Sequence, residues 1–165
     1  MKLASLTIVA MVFTSPVYAG ENQSSTFLKK AIQGNFAEIE MGKLAQQNGA
    51  REDVKQFGQM LNDDHSAANQ KALDAAKSMD VTPPDSPSKK QKSDFEKMSK
   101  LSGARFDSQF AKHMVADHEK DIAEYKRASK SDDAAGNYAK AQIEVLKKHL
   151  GTAKLLNLTK SSRRQ

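Results

Sequence analysis

Four residues able to bind a metal ion stand on the apolar faces of four expected helices: Glu38, His65, His118 and His149. The chain has 4 histidines in all, and three of them occupy positions where a packed helix would carry Leu or Val. A buried imidazole or carboxylate is costly unless it finds a partner. Four of them at one level of a core would be each other's partners, or the ligands of one ion. Three neutral imidazoles with one or two carboxylates suit Zn²⁺, Fe²⁺, Mn²⁺ or Cu²⁺. An oxygen-only ion such as Ca²⁺ suits that mixed set poorly.

The elements that must position these residues follow from the helical repeat. A first helix is expected over residues 25–48, capped by Ser24, Ser25 or Thr26, with the stripe Phe27, Ala31, Gly34, Glu38, Met41, Ala45. That phase puts Glu38 inside the stripe and Glu40 on the solvated side. A second, over 51–79, carries Val54, Gly58, Leu61, His65, Ala68, Ala72, Ala76 and Met79. A third, over 104–129, carries Phe106, Phe110, Met114, His118, Ile122 and Tyr125. Asp121 is one turn from His118 on the same face and is a candidate fifth ligand. His113 and Asp117 fall toward one edge, and Glu119 points outward. The fourth helix, over 132–158, carries Ala135, Tyr138, Gln142, Leu146, His149, Ala153 and Leu156.

Two residues stand behind the candidate ligands. Asp64, next to His65, can accept a hydrogen bond and hold an imidazole tautomer. Tyr125 can hydrogen-bond at the edge of the site or serve as a core phenol. Met41 and Met114 lie about one turn from Glu38 and His118. Thioethers there would interest Cu(I), although methionines in a stripe ordinarily fill space.

The connections suggest a topology. Asn48-Gly49 and Ser129 to Asp133 are short breaks, so the helices on either side of each form antiparallel hairpins. Between the hairpins lie Pro83, Pro84 and Pro87, then a short helix over 89–101, then Ser102-Gly103. The expectation is all-α: an up-down-up-down four-helix bundle with a short extra helix in the middle connection. On that topology Glu38, His65, His118 and His149 all stand roughly 18–26 Å from the same end, at about 1.5 Å per residue.

Composition sets the surroundings. Residues 1–19 read as a secretory signal peptide: Met1-Lys2, an apolar run from Leu3 to Phe13, and Val17-Tyr18-Ala19 as the cleavage site. Residues 20–165 are then one domain with a basic C-terminal tail. No cysteine is present, which removes lipid anchoring through Cys, disulfides and thiolate metal sites. No later segment is apolar enough to cross a membrane. The formal charge is +6, with lysines scattered along polar helix faces as a solvated cationic surface. With no recognition motif and no Trp, nucleic acid is not an expected partner. No Gly-x-Ser-x-Gly elbow, phosphate-binding Gly loop or His-Glu-x-x-His helix is present, so hydrolysis is not expected.

Several segments together carry a resemblance: Phe27-Leu28-Lys29-Lys30-Ala31, Ala37-Glu38-Ile39-Glu40-Met41-Gly42-Lys43-Leu44-Ala45, Met60 to Asp64-His65, Met114-Val115-Ala116-Asp117-His118-Glu119-Lys120-Asp121, and Leu146-Lys147-Lys148-His149-Leu150. In order and spacing the chain resembles an uncharacterised family of exported bacterial domains, often labelled putative outer-membrane or exported proteins and regarded as ferritin-like four-helix domains. The resemblance covers nearly the whole mature chain. It implies a ferritin-like fold and export, to the periplasm or to an outer-membrane or extracellular location, and it supplies no established activity. The family's recurrent polar positions correspond to Glu38, His65, His118 and His149. Ferritin-like di-iron sites use Glu-x-x-His on two helices. Here Asn62 and Leu146 stand three before His65 and His149. A single ion, or an incomplete pair, fits better than a bridged iron pair.

Two functions follow. The first is an exported bundle that binds a transition metal at a core His/carboxylate cluster, for storage, buffering or stress protection, more a binding protein than an enzyme. The alternative is a metal-free bundle that protects or tethers through its cationic surface, with an anionic envelope polymer or lipid as partner. Oligomeric state is open.

Overall fold

A computed structural model of the chain describes residues 23–158. The signal peptide assigned to residues 1–19 and the basic tail from Lys160 lie outside the described residues. Five helices make up the fold: α1 Gln23–Asn48, α2 Glu52–Ser78, α3 Lys89–Ser99, α4 Gly103–Ala128 and α5 Ala134–Leu158. No strand occurs among the described residues.

Local chemistry sets the helix ends. Ser88 caps α3: its hydroxyl accepts from the Gln91 backbone N–H, while the Gln91 side chain accepts from the Ser88 backbone N–H. This reciprocal pair satisfies two donors that a helix start leaves bare. The start of α2 has no cap from its own side chains. Asp107 of α4 supplies one, accepting from the Ala50 N–H at 3.0 Å and the Arg51 N–H at 3.2 Å. A carboxylate at a helix N-terminus is favourably placed in the helix dipole field. Past α2, Asp80 adopts a left-handed backbone (φ 52°), and Pro83-Pro84 follow where a helix cannot continue.

The apolar residues form two clusters, one at each end of the molecule. One joins the start of α1 (Phe27, Ile32), the end of α2 (Ala72, Ala76), the end of α4 (Ile122, Tyr125) and the start of α5 (Ala135, Tyr138). The other joins the end of α1 (Met41, Ala45), the start of α2 (Val54, Phe57), the start of α4 (Phe106, Phe110) and the end of α5 (Ala153, Leu156). Taking α1 as up, the order is therefore up, down, down, up. This corrects the up-down-up-down expectation. The two hairpin turns lie at opposite ends: Asp107 of α4 holds the α1–α2 turn, and Ser24 of α1 donates a 2.5 Å hydrogen bond to Asp133 in the α4–α5 turn. The physical reason is the middle connection. A helix of 26 residues is about 39 Å long at 1.5 Å per residue, and the chain over 79–102 is long enough to reach either end. It runs the full length of the molecule and carries α3 along α1 and α4.

Around the ring the helices stand α1, α2, α5, α4, with antiparallel neighbours. The α1–α2 contact is the tightest. A Cβ on Gly42 would stand 2.5 Å from the Gly58 carbonyl oxygen, and one on Gly58 would stand 2.6 Å from that of Gly42. The two backbones touch because neither residue has a side chain. The α1–α4 side is looser, and α3 lies over it.

Candidate metal centre

Between the two apolar clusters each long helix contributes polar residues to the core. Asn35 and Glu38 come from α1, His65 and Asn69 from α2, His118 from α4, and Gln142 and His149 from α5, all buried. His118 is 1 % exposed and His149 is 0 % exposed. Placement at mid-helix explains why these residues share a level although the hairpin turns do not share an end. A residue near the middle of a helix is close to the same height counted from either end.

Three histidines meet. One ring nitrogen from each of His65, His118 and His149 lies within 4.8 Å of the other two, close enough to hold one ion. The outer nitrogen of each ring is committed. The His118 Nδ1–H donates to the Met114 carbonyl at 2.9 Å. The His149 Nε2–H donates to Asp64 Oδ2 at 2.9 Å. The His65 Nδ1–H donates to Asn35 Oδ1 at 3.0 Å, and the Asn35 amide in turn donates to the Tyr138 hydroxyl at 3.1 Å. Carbonyls and carboxylates only accept, so each bond places the proton on the outer nitrogen. The inner nitrogens of the neutral rings are then bare lone pairs. His65 Nε2 is buried with no hydrogen-bond partner. His118 Nε2 and His149 Nδ1 face each other at 3.3 Å with no proton left to place between them.

The electrostatics keep these rings neutral. Burial, then the neighbouring His118 and His149, hold His65 well below the usual histidine range. Burial, then His149, pushes His118 down to about 4. Burial also lowers His149, opposed by the Asp64 carboxylate. Neutral imidazole is the form that binds a metal.

The carboxylates gather elsewhere. Glu38 does not join the three-histidine group. It lines a cavity of about 330 Å³ between α1 and α4, together with Asp117, Asp121, Tyr125 and His65. Burial, then the charges of Asp117 and Asp121, raise the Glu38 carboxyl well above the usual range, and a hydrogen bond with Asp117 adds to the shift. Glu38 Oε2 has no partner. Burial, then Asp117, pushes Asp121 up to about 7. Tyr125 is raised by burial and then by Tyr138, whose hydroxyl lies 3.3 Å from its own.

A family model matches residues 14–156. The chain belongs to the family described as Domain of unknown function, DUF4142. No curated protein and no solved structure gives a significant match to it.

Within this DUF4142 chain the expected site residues divide into two groups. His65, His118 and His149 come together. Glu38 and Asp121 both line the adjoining cavity, close enough for the charge of one to act on the other. Asp64 hydrogen-bonds to His149, whereas its neighbour His65 is held by Asn35. Tyr125 lies at the cavity wall and also packs edge-on against Phe27, ring centroids 4.9 Å apart. The helical repeat alone places Asp117 at an edge and does not single out Asn35. Asn35 stands three before Glu38, beside the stripe and on the same face, so a polar residue among apolar neighbours is the signal for it. His113 lines the cavity half-buried, and Glu119 pairs with Lys154 at the surface, 2.8 Å apart.

Proposed function

We propose that this chain is an exported, ferritin-like four-helix protein that holds one transition-metal ion between His65, His118 and His149, for storage, buffering or stress protection. The observation that carries this reading is the pair of opposed nitrogens, His118 Nε2 and His149 Nδ1, 3.3 Å apart beside the unpartnered His65 Nε2. Three buried lone pairs facing one another are repulsive, and a cation among them turns the repulsion into coordination. The hydrogen bonds behind the rings are of the kind that orient metal-binding histidines and raise their basicity. Three nitrogen donors suit Zn²⁺, Fe²⁺, Mn²⁺ or Cu²⁺. The ferritin-like assignment is supported by antiparallel neighbours and one long crossover. Export rests on the reading of residues 1–19.

The test is metal analysis and calorimetric titration of the untagged mature chain with Zn²⁺ and Co²⁺. One equivalent is expected, with loss of binding in a His65→Ala, His118→Ala double variant. At a free-metal concentration of 100 Kd the ion should add about 2.7 kcal/mol of stability. An unaltered stoichiometry in the double variant overturns the reading.

A further inference from the structure

We propose a second cation site, made of oxygen donors alone, in the cavity between α1 and α4, where Glu38, Asp117 and Asp121 bind a hard divalent ion such as Mn²⁺, Mg²⁺ or Ca²⁺. Its donors are distinct from the three histidines, although His65 lines the same cavity.

The first observation is an unpartnered atom. Glu38 is 3 % exposed, its Oε2 has no hydrogen-bond partner, and the side chain lines the cavity. A buried carboxylate oxygen without a donor loses its hydration for nothing, and a bound cation supplies the missing contact. The second is the space. The cavity measures about 330 Å³, enough for an ion that keeps several waters, as hard divalent ions do. The third is the balance of charge. Asp117 and Asp121 face Glu38 closely enough to act on its charge, and Glu124 adds a further carboxylate to the wall. Lys30, Lys90 and Lys120 also reach the wall, but Lys90 is bound to Asp94 at 2.6 Å. Among the described residues, no ion pair within 4.0 Å joins a lysine to Glu38 or Asp121.

The donor chemistry separates the two sites. Carboxylates with room for water select hard ions, whereas imidazoles select borderline ones. The two groups share a wall, since His65 and Asn35 line the same cavity as Glu38. The carboxylate site lies on the looser α1–α4 side, and Ser88 and Gln91 at the start of α3 form part of its rim.

Terbium luminescence tests the proposal, because Tb³⁺ prefers oxygen donors and is excited through nearby phenols. Tyr125 lines the cavity, and the chain has no Trp to compete. The metal-stripped mature chain should show saturable Tb³⁺ emission on tyrosine excitation, displaced by excess Mn²⁺ or Ca²⁺. Asp121→Asn, and Glu38→Gln with Asp117→Asn, should weaken binding by about tenfold or more, with unchanged helical circular dichroism. The His65→Ala, His118→Ala variant should keep the emission. Absence of saturable emission from the wild type overturns the proposal. So does emission insensitive to both carboxamide variants, or emission lost with the histidines while the fold is intact. Failure of the three-histidine reading leaves the Tb³⁺ result untouched, so the two can be told apart.

Discussion

His149 and Asp64 form a hydrogen bond between the two halves of the candidate metal centre: Nε2 lies 2.9 Å from Oδ2 across the α2–α5 contact. The ring is 0 % exposed and the carboxylate side chain 35 % exposed, so one end of the pair is dry and the other reaches water. The bond fixes which nitrogen of His149 carries the proton, and therefore which one faces His118.

Asp64→Ala should weaken the affinity for Zn²⁺ by about 10–100-fold, the usual cost of removing such a supporting partner. The three histidines stay in place, so stoichiometry should remain one. Competition against a calibrated chelator measures the change. Equal affinities in wild type and variant would remove Asp64 from any part in metal binding.

His118 and Asp121 give the metal-stripped protein opposing pH dependences. His118 is lowered from 6.5 to about 4, so below the ordinary histidine range the unfolded chain binds the proton first. Its contribution is full above about pH 6.5 and is lost as the pH falls toward 4. Asp121 is raised from 3.8 to about 7, so in that window the native carboxyl keeps a proton that the unfolded chain releases. Its contribution is full below about pH 3.8 and is lost as the pH rises through 7. Asp121→Asn removes the second effect. Relative to wild type, its stability in chelator should improve steadily between pH 4 and pH 7, measured as urea midpoints across the range. A stability of the variant relative to wild type that stays constant, or falls, over that range would contradict a raised Asp121 carboxyl.

Gly58→Ala should destabilise the fold by about 1–3 kcal/mol, the ordinary cost of forcing an extra methyl into a packed contact. Its Cβ would stand 2.6 Å from the Gly42 carbonyl oxygen and 2.8 Å from Ala45 Cβ, and backbone has little freedom to give way. Gly151→Ala, where a Cβ meets nothing within 4 Å, is the control and should be neutral or stabilising. Thermal or urea unfolding of the two variants decides it.

Much of this arrangement was legible because helix phase is a strict constraint. A step of two residues separates buried Glu38 from exposed Glu40, and exposed Asp63 from buried His65. The inward direction of His65, His118 and His149 followed from the same repeat. The order of the helices did not, because loop length fixes a hairpin when the loop is short and fixes little when it is long. The split of the candidate ligands was hidden for a different reason. Phase gives the direction of a side chain around its own helix, not how closely two helices approach. Glu38 and Asp121 point inward, but across the wider α1–α4 side, where they meet Asp117. Asp107 was unreadable as the cap of α2 because its partners, Ala50 and Arg51, come from a different hairpin.

The crossover has one more consequence. His65 and Asp64 belong to the first hairpin, His118 and His149 to the second, and the strap that carries α3 is the covalent link between the two hairpins. The polar layer lies at the seam between the two hairpins. An ion among the three rings would act as a clasp across that seam, so its removal should loosen the docking of the halves before it melts either hairpin.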